Sequence, residues 1–351
     1  MTNKHPFYTL QLGELATILE SNGFRKFRAK QIFDAVYAKK IFTPKDFPSI
    51  PVQLINFLEE YFDFQPAKRI KNKESDDDTK KCLFELSDGN FVECVLLEAP
   101  ADDGNIRKTL CISTQVGCAC KCAFCASALR GFVRNLSAEE IVAQALPFVK
   151  DKKFEFENIV VMGMGEPLMN FDNLLSALAV FNASDKFAFG ARRITVSTCG
   201  IADKLEKLAE MGFPYRLAIS LHGATDEVRS KIMPINKKFP LAQLLESAKK
   251  FASVCGRMIT LEYIMIDNVN DSFAQARELA KIARLLHAHV NLIPYNKVDA
   301  LDWKRSDSAR RSAFAKILKE KGVSFTMRRE KGSDIDAACG QLALKKKLSE
   351  A

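Results

Sequence analysis

Two periodicities divide the chain. Up to about residue 65, apolar positions recur at helical spacing. Leu12, Leu15, Ile18 and Leu19 share one face, and Asn22-Gly23 stops the run. A second helix is predicted from Arg28 to Lys39, with Ile32, Phe33, Val36 and Tyr37 apolar, and a third from Val52 to Phe62. Phe42 to Pro51 carries three prolines and reads as a loop. Residues 66–79 are polar and charged and read as a link. Cys82 to Leu97 reads as a hairpin around Ser87-Asp88-Gly89-Asn90, because Asp-Gly favours the tight turn. From about Leu110 short apolar runs alternate with helical stretches. The predicted strands are Leu110–Thr114, Ile159–Met162, Ile194–Ser197, Leu217–Leu221, Met258–Met265 and Val290–Ile293. The first intervening helix opens on Ser137-Ala-Glu-Glu140, a capping box. A last helix is expected near Ser308–Glu320 and a strand near Val323–Arg328, before a loop-like tail and a lysine run expected to be a disordered end.

This alternation predicts an α/β chain whose six βα units form an open, partial (βα)6 barrel with a parallel sheet. The expected divisions are a helical basic accessory domain (1–65), a linker and β-hairpin (66–103), the barrel (104–335) and a C-terminal tail (336–351). At 351 residues, one large domain plus a small one fits the length. The net charge of +9 points to a polyanionic partner, nucleic acid first, against the alternative of a merely soluble basic protein. Lys26, Arg28, Lys30, Lys39 and Lys40 make the helical bundle basic, either to grip RNA backbone or as a solvated surface. The first residues contain no apolar signal region, and no run of 18 apolar residues occurs. Ten cysteines without an export signal are then expected to be reduced thiols in the cytoplasm.

Cysteine chemistry sharpens the picture. Five of the ten cysteines fall between Cys111 and Cys125, and Cys118, Cys122 and Cys125 are spaced C-x3-C-x2-C. Three thiolates at this spacing can hold three irons of a [4Fe–4S] cube and leave the fourth open. A four-thiolate zinc site including Cys120 is the competing reading, but structural zinc sites usually draw two cysteine pairs from separate loops. The Met162-Gly163-Met164-Gly165-Glu166-Pro167 turn follows a strand, where glycine lets backbone approach a ligand and Glu166 can hold an ammonium group. Ser197, Ser220-Leu221-His222 and Asn296 also stand where apolar strands run out. Taken singly, each is more often a turn or cap residue. Ligands of a parallel barrel gather at that end. Glu93 shares a strand face with Phe91, Val95 and Leu97, so burial there would raise its pKa and suit it to proton transfer. An edge-strand charge is the plainer reading. Cys111 alone reads as a small core residue, and Cys339, in the small-residue tail AspAlaAlaCysGlyGln, as an idle thiol or a functional one.

The cysteine spacing resembles the radical SAM superfamily. The set TLCISTQVGCACKCAFCASALRGFVRNL, VVMGMGEPLMN, ITVSTCG, AISLHGATDEVRSKIMPINKKFP, NLIPYN and DIDAACGQL resembles the RlmN family of rRNA and tRNA adenine C2 methyltransferases, over about residues 10–343. The resemblance implies that Cys118, Cys122 and Cys125 hold a [4Fe–4S] cluster. It implies that Gly165, Glu166, Ser197, Ser220, Leu221, His222 and Asn296 contact S-adenosylmethionine (SAM). It makes Cys339 the methyl carrier, Cys111 its disulfide-forming partner and Glu93 the candidate proton acceptor, with the Cys111 thiolate as the alternative acceptor. Cys120 and Cys199 depart from the family's pattern, at positions without an implied role.

The implied reaction consumes two SAM per methylation. One SAM methylates Cys339, and a radical made from the second activates that methyl for addition to adenine C2. A covalent route is needed because C2 is not nucleophilic. The implied partners are 23S rRNA and tRNA, with an electron donor of the flavodoxin or ferredoxin kind. The implied enzyme is a cytoplasmic monomer without a membrane partner. The nearest alternative is Cfr-type methylation of adenine C8, which would use the same cysteines. A zinc-stabilised RNA-binding module is the non-enzymatic alternative.

Overall fold

The computed structural model describes residues 4–100, 104–298, 301–328, 332, 335–337 and 340–342. Its centre is one ten-stranded sheet. The strands are β1 (Ala67–Glu74), β2 (Lys80–Leu86), β3 (Phe91–Pro100), β4 (Ile106–Cys111), β5 (Asn158–Val161), β6 (Ile194–Thr198), β7 (Arg216–Ser220), β8 (Thr260–Met265), β9 (His289–Pro294) and β10 (Phe325–Met327). They lie side by side in chain order. β4 to β10 are parallel, and β1 to β3 extend the sheet antiparallel from β4. The parallel α/β sheet is the one expected, with a strand for each of the six predicted in the barrel. The first lies earlier, at Ile106–Cys111 rather than Leu110–Thr114, and the strand expected near Val323–Arg328 joins the far edge as β10.

The period of two explains how this sheet is covered. Ile159, Val161, Ile194, Val196, Leu217, Ile219, Leu261, Tyr263, Val290 and Leu292 alternate along their strands and are buried. The helices Phe171–Asn182, Ala202–Glu210, Leu241–Cys255, Phe273–Leu285 and Ser308–Glu320 connect or follow these strands. The other set of positions, including Val160, Ser197, Ser220, Glu262 and Ile264, lines an internal cavity. Because the strands are parallel, their C-terminal ends all meet at one edge of that cavity.

One expectation needs correction. Residues 66–79, read as a link, form β1 and the turn after it. β1 pairs antiparallel with β2 through a register shift between Arg69 and Lys71. Seven of its eight residues are exposed. An edge strand with charge at successive positions has no apolar alternation to reveal it. Charge there also discourages edge-to-edge pairing with another chain.

The helical bundle, Leu12–Ser21, Phe27–Phe33 with a continuing turn to Ala38, and Val52–Tyr61, matches its apolar pattern. It is seated on the barrel through Glu139, in the helix Ala138–Ala143 that starts from the Ser137 capping box. The Glu139 carboxylate accepts bonds from the backbone N–H groups of Phe7 (3.1 Å), Tyr8 (2.8 Å) and Thr9 (2.7 Å), and from Thr9 Oγ1 (2.8 Å). Phe7 and Tyr8 are fully buried, with Phe7 packed against the rings of Phe62, Phe64 and Tyr37. Among the described residues no helix is long and apolar enough to cross a membrane.

Removing this carboxylate would strand three backbone donors. Glu139→Ala is expected to lower the unfolding free energy by about 2–3 kcal/mol, the usual worth of hydrogen bonds to a charged group. Denaturant unfolding checks this. An unchanged midpoint would mean that aromatic packing alone seats the bundle.

Candidate active site

The site begins with backbone that only glycine permits. Gly163 and Gly165 follow β5 and pass against the segment after β4. A Cβ on Gly163 would stand 2.6 Å from Ser113 Oγ and 2.7 Å from the Ile112 carbonyl oxygen. Gly165 has φ of +103°, and a Cβ there would meet Gln115 Cβ at 2.6 Å. Ser113 locks the approach. Its hydroxyl donates to the Glu93 carbonyl at 2.6 Å and accepts from the Met164 N–H at 2.8 Å. The glycine turn is thereby tied to β3 as well as to its own strand.

Glu166 is buried at the end of this turn. Its Oε1 accepts from Thr198 Oγ1 (2.7 Å) and the Leu168 N–H (2.9 Å), and Oε2 accepts from the Cys199 N–H (2.7 Å). Burial raises its pKa, and these bonds pull it back. A carboxylate fixed this way is ready to receive a cationic group.

The neighbouring strand ends complete the wall. Ser197 and Ser220 face each other across β6 and β7, with hydroxyl oxygens 3.5 Å apart. His222 has φ of +55° and packs edge-on to Phe124. Its Nδ1 accepts from the Ile264 N–H at 3.1 Å, so the proton of the neutral ring sits on Nε2. Burial, with Arg229 nearby, pushes its pKa down to about 3. Asn296 is buried, and its Oδ1 accepts from Arg305 at 3.3 Å. Gly165, Glu166, Ser197, Ser220, His222 and Asn296 all line the one cavity. Leu221 does not. Its side chain is fully buried outside the lining, and its backbone accepts from Arg229 Nε at 3.1 Å.

Sequence reading missed two contributors here. Arg229 is completely buried and bonds the carbonyls of Leu221 and Cys199 and the Asn236 side chain, bracing the loops after β6 and β7. Glu262 lines the cavity from β8, bonded by Asn291 at 2.8 Å, and burial raises its pKa. A carboxylate inside ThrLeuGluTyrIleMet carries the same signal that singled out Glu93.

Cys111, Cys118, Cys122 and Cys125 share this cavity. Gly117 shapes the loop that carries the spaced cysteines, since a Cβ there would fall 1.7 Å from the Gly131 carbonyl oxygen. Burial raises the Cys122 and Cys125 thiols. Cys118 is raised by its hydrogen bond with Cys120 and by burial. Among the described residues, the side chains close enough to share a single metal ion are Cys120, Glu166 and Cys199, within 4.8 Å of one another. Cys118, Cys122 and Cys125 form no such set. Wider spacing suits thiolates that bind separate irons of a cube, whereas one zinc would draw its ligands to about 4 Å of each other. Cys120 and Cys199 touch with sulfurs 3.3 Å apart. Lying 79 residues apart in the chain, they give the sequence no sign of this contact.

Glu93 is buried just outside the lining, while Val95 and Leu97 on its face line the cavity. Burial raises its pKa, and Lys81 at 3.2 Å pulls it down. Among the described residues its Oε2 has no hydrogen-bond partner. Cys339 lies outside the described residues. Ala337 and Gly340, on either side of it in sequence, line the cavity. The Gly340 carbonyl accepts from the Ala126 N–H at 2.8 Å, and Gln341 donates to the Lys297 carbonyl at 2.9 Å.

Gly165→Ala is expected to lower the unfolding free energy by about 1–3 kcal/mol, the cost of a strained backbone conformation. Gly190→Ala is the control, because Gly190 has φ of −60° and open space around it. Equal thermal midpoints for the two variants would contradict the close approach described above.

The radical SAM superfamily profile matches residues 112–280. A probable dual-specificity RNA methyltransferase RlmN 3 from Opitutus terrae is 52% identical, covering 97% of this chain and 95% of its own length. A probable dual-specificity RNA methyltransferase RlmN from Akkermansia muciniphila is 45% identical, with 97% and 96% covered. The crystal structure of a radical SAM methyltransferase from Sphaerobacter thermophilus superposes with a TM-score of 0.91 at 38% identity, covering 96% of this chain and 98% of that one. Radical SAM enzymes use a [4Fe–4S] cluster and SAM, and the chain described here belongs to the RlmN family within that superfamily.

Proposed function

We propose that this enzyme methylates C2 of an adenine in 23S rRNA and in the tRNA anticodon loop, through a methyl group carried on Cys339. The observation that carries the reading is the convergence of the tail on either side of Cys339, the Cys111 strand end and the cysteine loop on one cavity. Near-complete coverage of RlmN-named relatives supports C2 as the target.

Cys118, Cys122 and Cys125 would hold the cluster, because soft, closely grouped thiolates suit iron–sulfur ligation. When bound, the cluster supplies the electron that splits SAM into methionine and a 5′-deoxyadenosyl radical. Glu166 orients the SAM ammonium group, while Ser197, Ser220, neutral His222 and Asn296 offer donors and acceptors to its remaining polar atoms. Leu221 braces this turn from outside the lining, its N–H bonded to the Glu262 carbonyl and its own carbonyl to Arg229. Cys339 takes its methyl by displacement at the SAM sulfonium and later bears the carbon that bonds to C2. Glu93 accepts the C2 proton, with Oε2 available. Once the adduct's unpaired electron has passed to a one-electron carrier of the kind that would serve the cluster, the Cys111 thiolate attacks the Cys339 sulfur. The S–S bond forms as the S–CH2 bond breaks, and the freed carbon takes a proton to become the methyl group.

RNA is drawn in by charge. Lys26 and Lys30 of the bundle are engaged in ion pairs with Glu20 and Asp34, and Lys40 packs over the rings of Phe154 and Phe187. β1 presents Lys68, Arg69, Lys71 and Lys73 exposed in one stretch. This strand is therefore the stronger candidate for phosphate contact. The target adenine must leave its stack to reach a site this enclosed.

Cys339→Ala should retain iron and sulfide yet give no methylated adenine, and product from that variant would refute the covalent route. Cys111→Ala should accumulate RNA crosslinked to the protein on denaturing gels, and normal turnover would reduce Cys111 to packing. Cys120→Ser should keep the full iron content that Cys122→Ser loses. Equal loss in both would bring Cys120 into the cluster site.

A further inference from the structure

A buried lysine stands where the proton acceptor and the tail meet. Lys81 lies opposite Val95 in the β2–β3 register, so its side chain leaves the sheet on the cavity side. That side chain is 9% exposed. Its Nζ stands 3.2 Å from Glu93 Oε1 and donates to the Asp336 carbonyl at 3.1 Å. A buried ammonium is tolerated only when paired and hydrogen-bonded, and such a pair is weak grounds for stability. Its neighbour Lys80 instead reaches Glu74 beside the sheet edge.

The turn before Lys81 also grips the tail. Asp77 Oδ2 accepts from the Gly332 N–H at 2.8 Å, and the Ala337 N–H donates to the Gly332 carbonyl at 2.8 Å. Gly332 has φ of +66°, and a Cβ there would stand 2.8 Å from Thr79 Cγ2. The backbone just ahead of Cys339 is thus folded against the turn, and Lys81 joins it to Glu93.

We propose that Lys81 is a positioning residue for methyl transfer. Its one ammonium group holds the Glu93 carboxylate and the Asp336 carbonyl, setting the proton acceptor and the Cys339 segment against the cavity together. The inference rests on the roles given above to Glu93 and Cys339. Among the described residues, the charged groups that act most on Glu93 are Lys81, Asp336 and Arg130. Without Lys81, burial and Asp336 act against the ionised form, and among the described residues Arg130 opposes them. The carboxyl would then hold its proton to higher pH and fail as a base near neutrality.

The test uses full-length, cluster-loaded protein carrying Lys81→Met or Lys81→Arg. Four readouts are iron and sulfide content, hydrogen exchange of the peptide spanning 332–342, Cys339 methylation by intact mass, and single-turnover methylation of an unmodified 23S rRNA transcript against pH. K81M should keep its iron and sulfide. Its tail should exchange faster, and the rising limb of its pH profile should move up by about one unit, with roughly tenfold slower turnover at neutral pH. K81R should recover most of both. A K81M variant with the parent's tail exchange and pH limb would overturn the proposal, as would one whose only defect is a lost cluster that K81R fails to restore. Glu93→Gln separates the two levels. If it turns over like the parent, the Glu93 assignment fails and the coupling proposed for Lys81 fails with it. If it is inactive while K81M behaves as the parent, Glu93 stands and Lys81 is only packing.

Discussion

Parallel strands laid side by side in chain order force every following loop onto one edge of the sheet. That constraint makes the site. The cysteine loop follows β4, the glycine turn β5, Thr198-Cys199 the end of β6, His222 β7 and Asn296 β9. No long-range design is needed to assemble them, because each arrives at the cavity by finishing its own strand. The apolar half of each strand holds the helices, and the other half is left to face the cavity.

What the sheet cannot supply is closure, and the chain obtains it from its two ends. The antiparallel strands β1 to β3 widen the sheet beside β4, and their turn receives the tail through Asp77, Thr79 and Lys81. The tail then crosses to the cysteine loop, where Gly340 and Leu342 accept from Ala126 and Ser127. Segments more than 200 residues apart in sequence thereby enclose one space, with |i−j| of 255 for the Lys81 contact. Enclosure withdraws water from the ionised form of the carboxylates in and beside it, which is why Glu93, Glu166 and Glu262 are all pushed upward by burial.

Much of this was legible in the sequence because local patterns determine it. Short apolar runs between helical stretches marked the barrel strands, Ser137 and Glu140 the helix start, and Asp88-Gly89 the hairpin. The cavity positions of Gly165, Glu166, Ser197, Ser220, His222 and Asn296 followed from their places at strand ends. β1 escaped because its exposed charges conceal a strand. Lys81 and Arg229 escaped because a lone basic residue reads as surface until its partners are seen, and those partners come from distant turns. The Cys120–Cys199 contact is invisible for the same reason.

The central claim is that this chain methylates adenine C2 in RNA. It is tested most directly by nucleoside mass spectrometry of rRNA and tRNA from cells with and without the gene. The account predicts that 2-methyladenosine disappears from both RNAs when the gene is removed. Loss of 8-methyladenosine in its place, or no change in any methyladenosine, would contradict it.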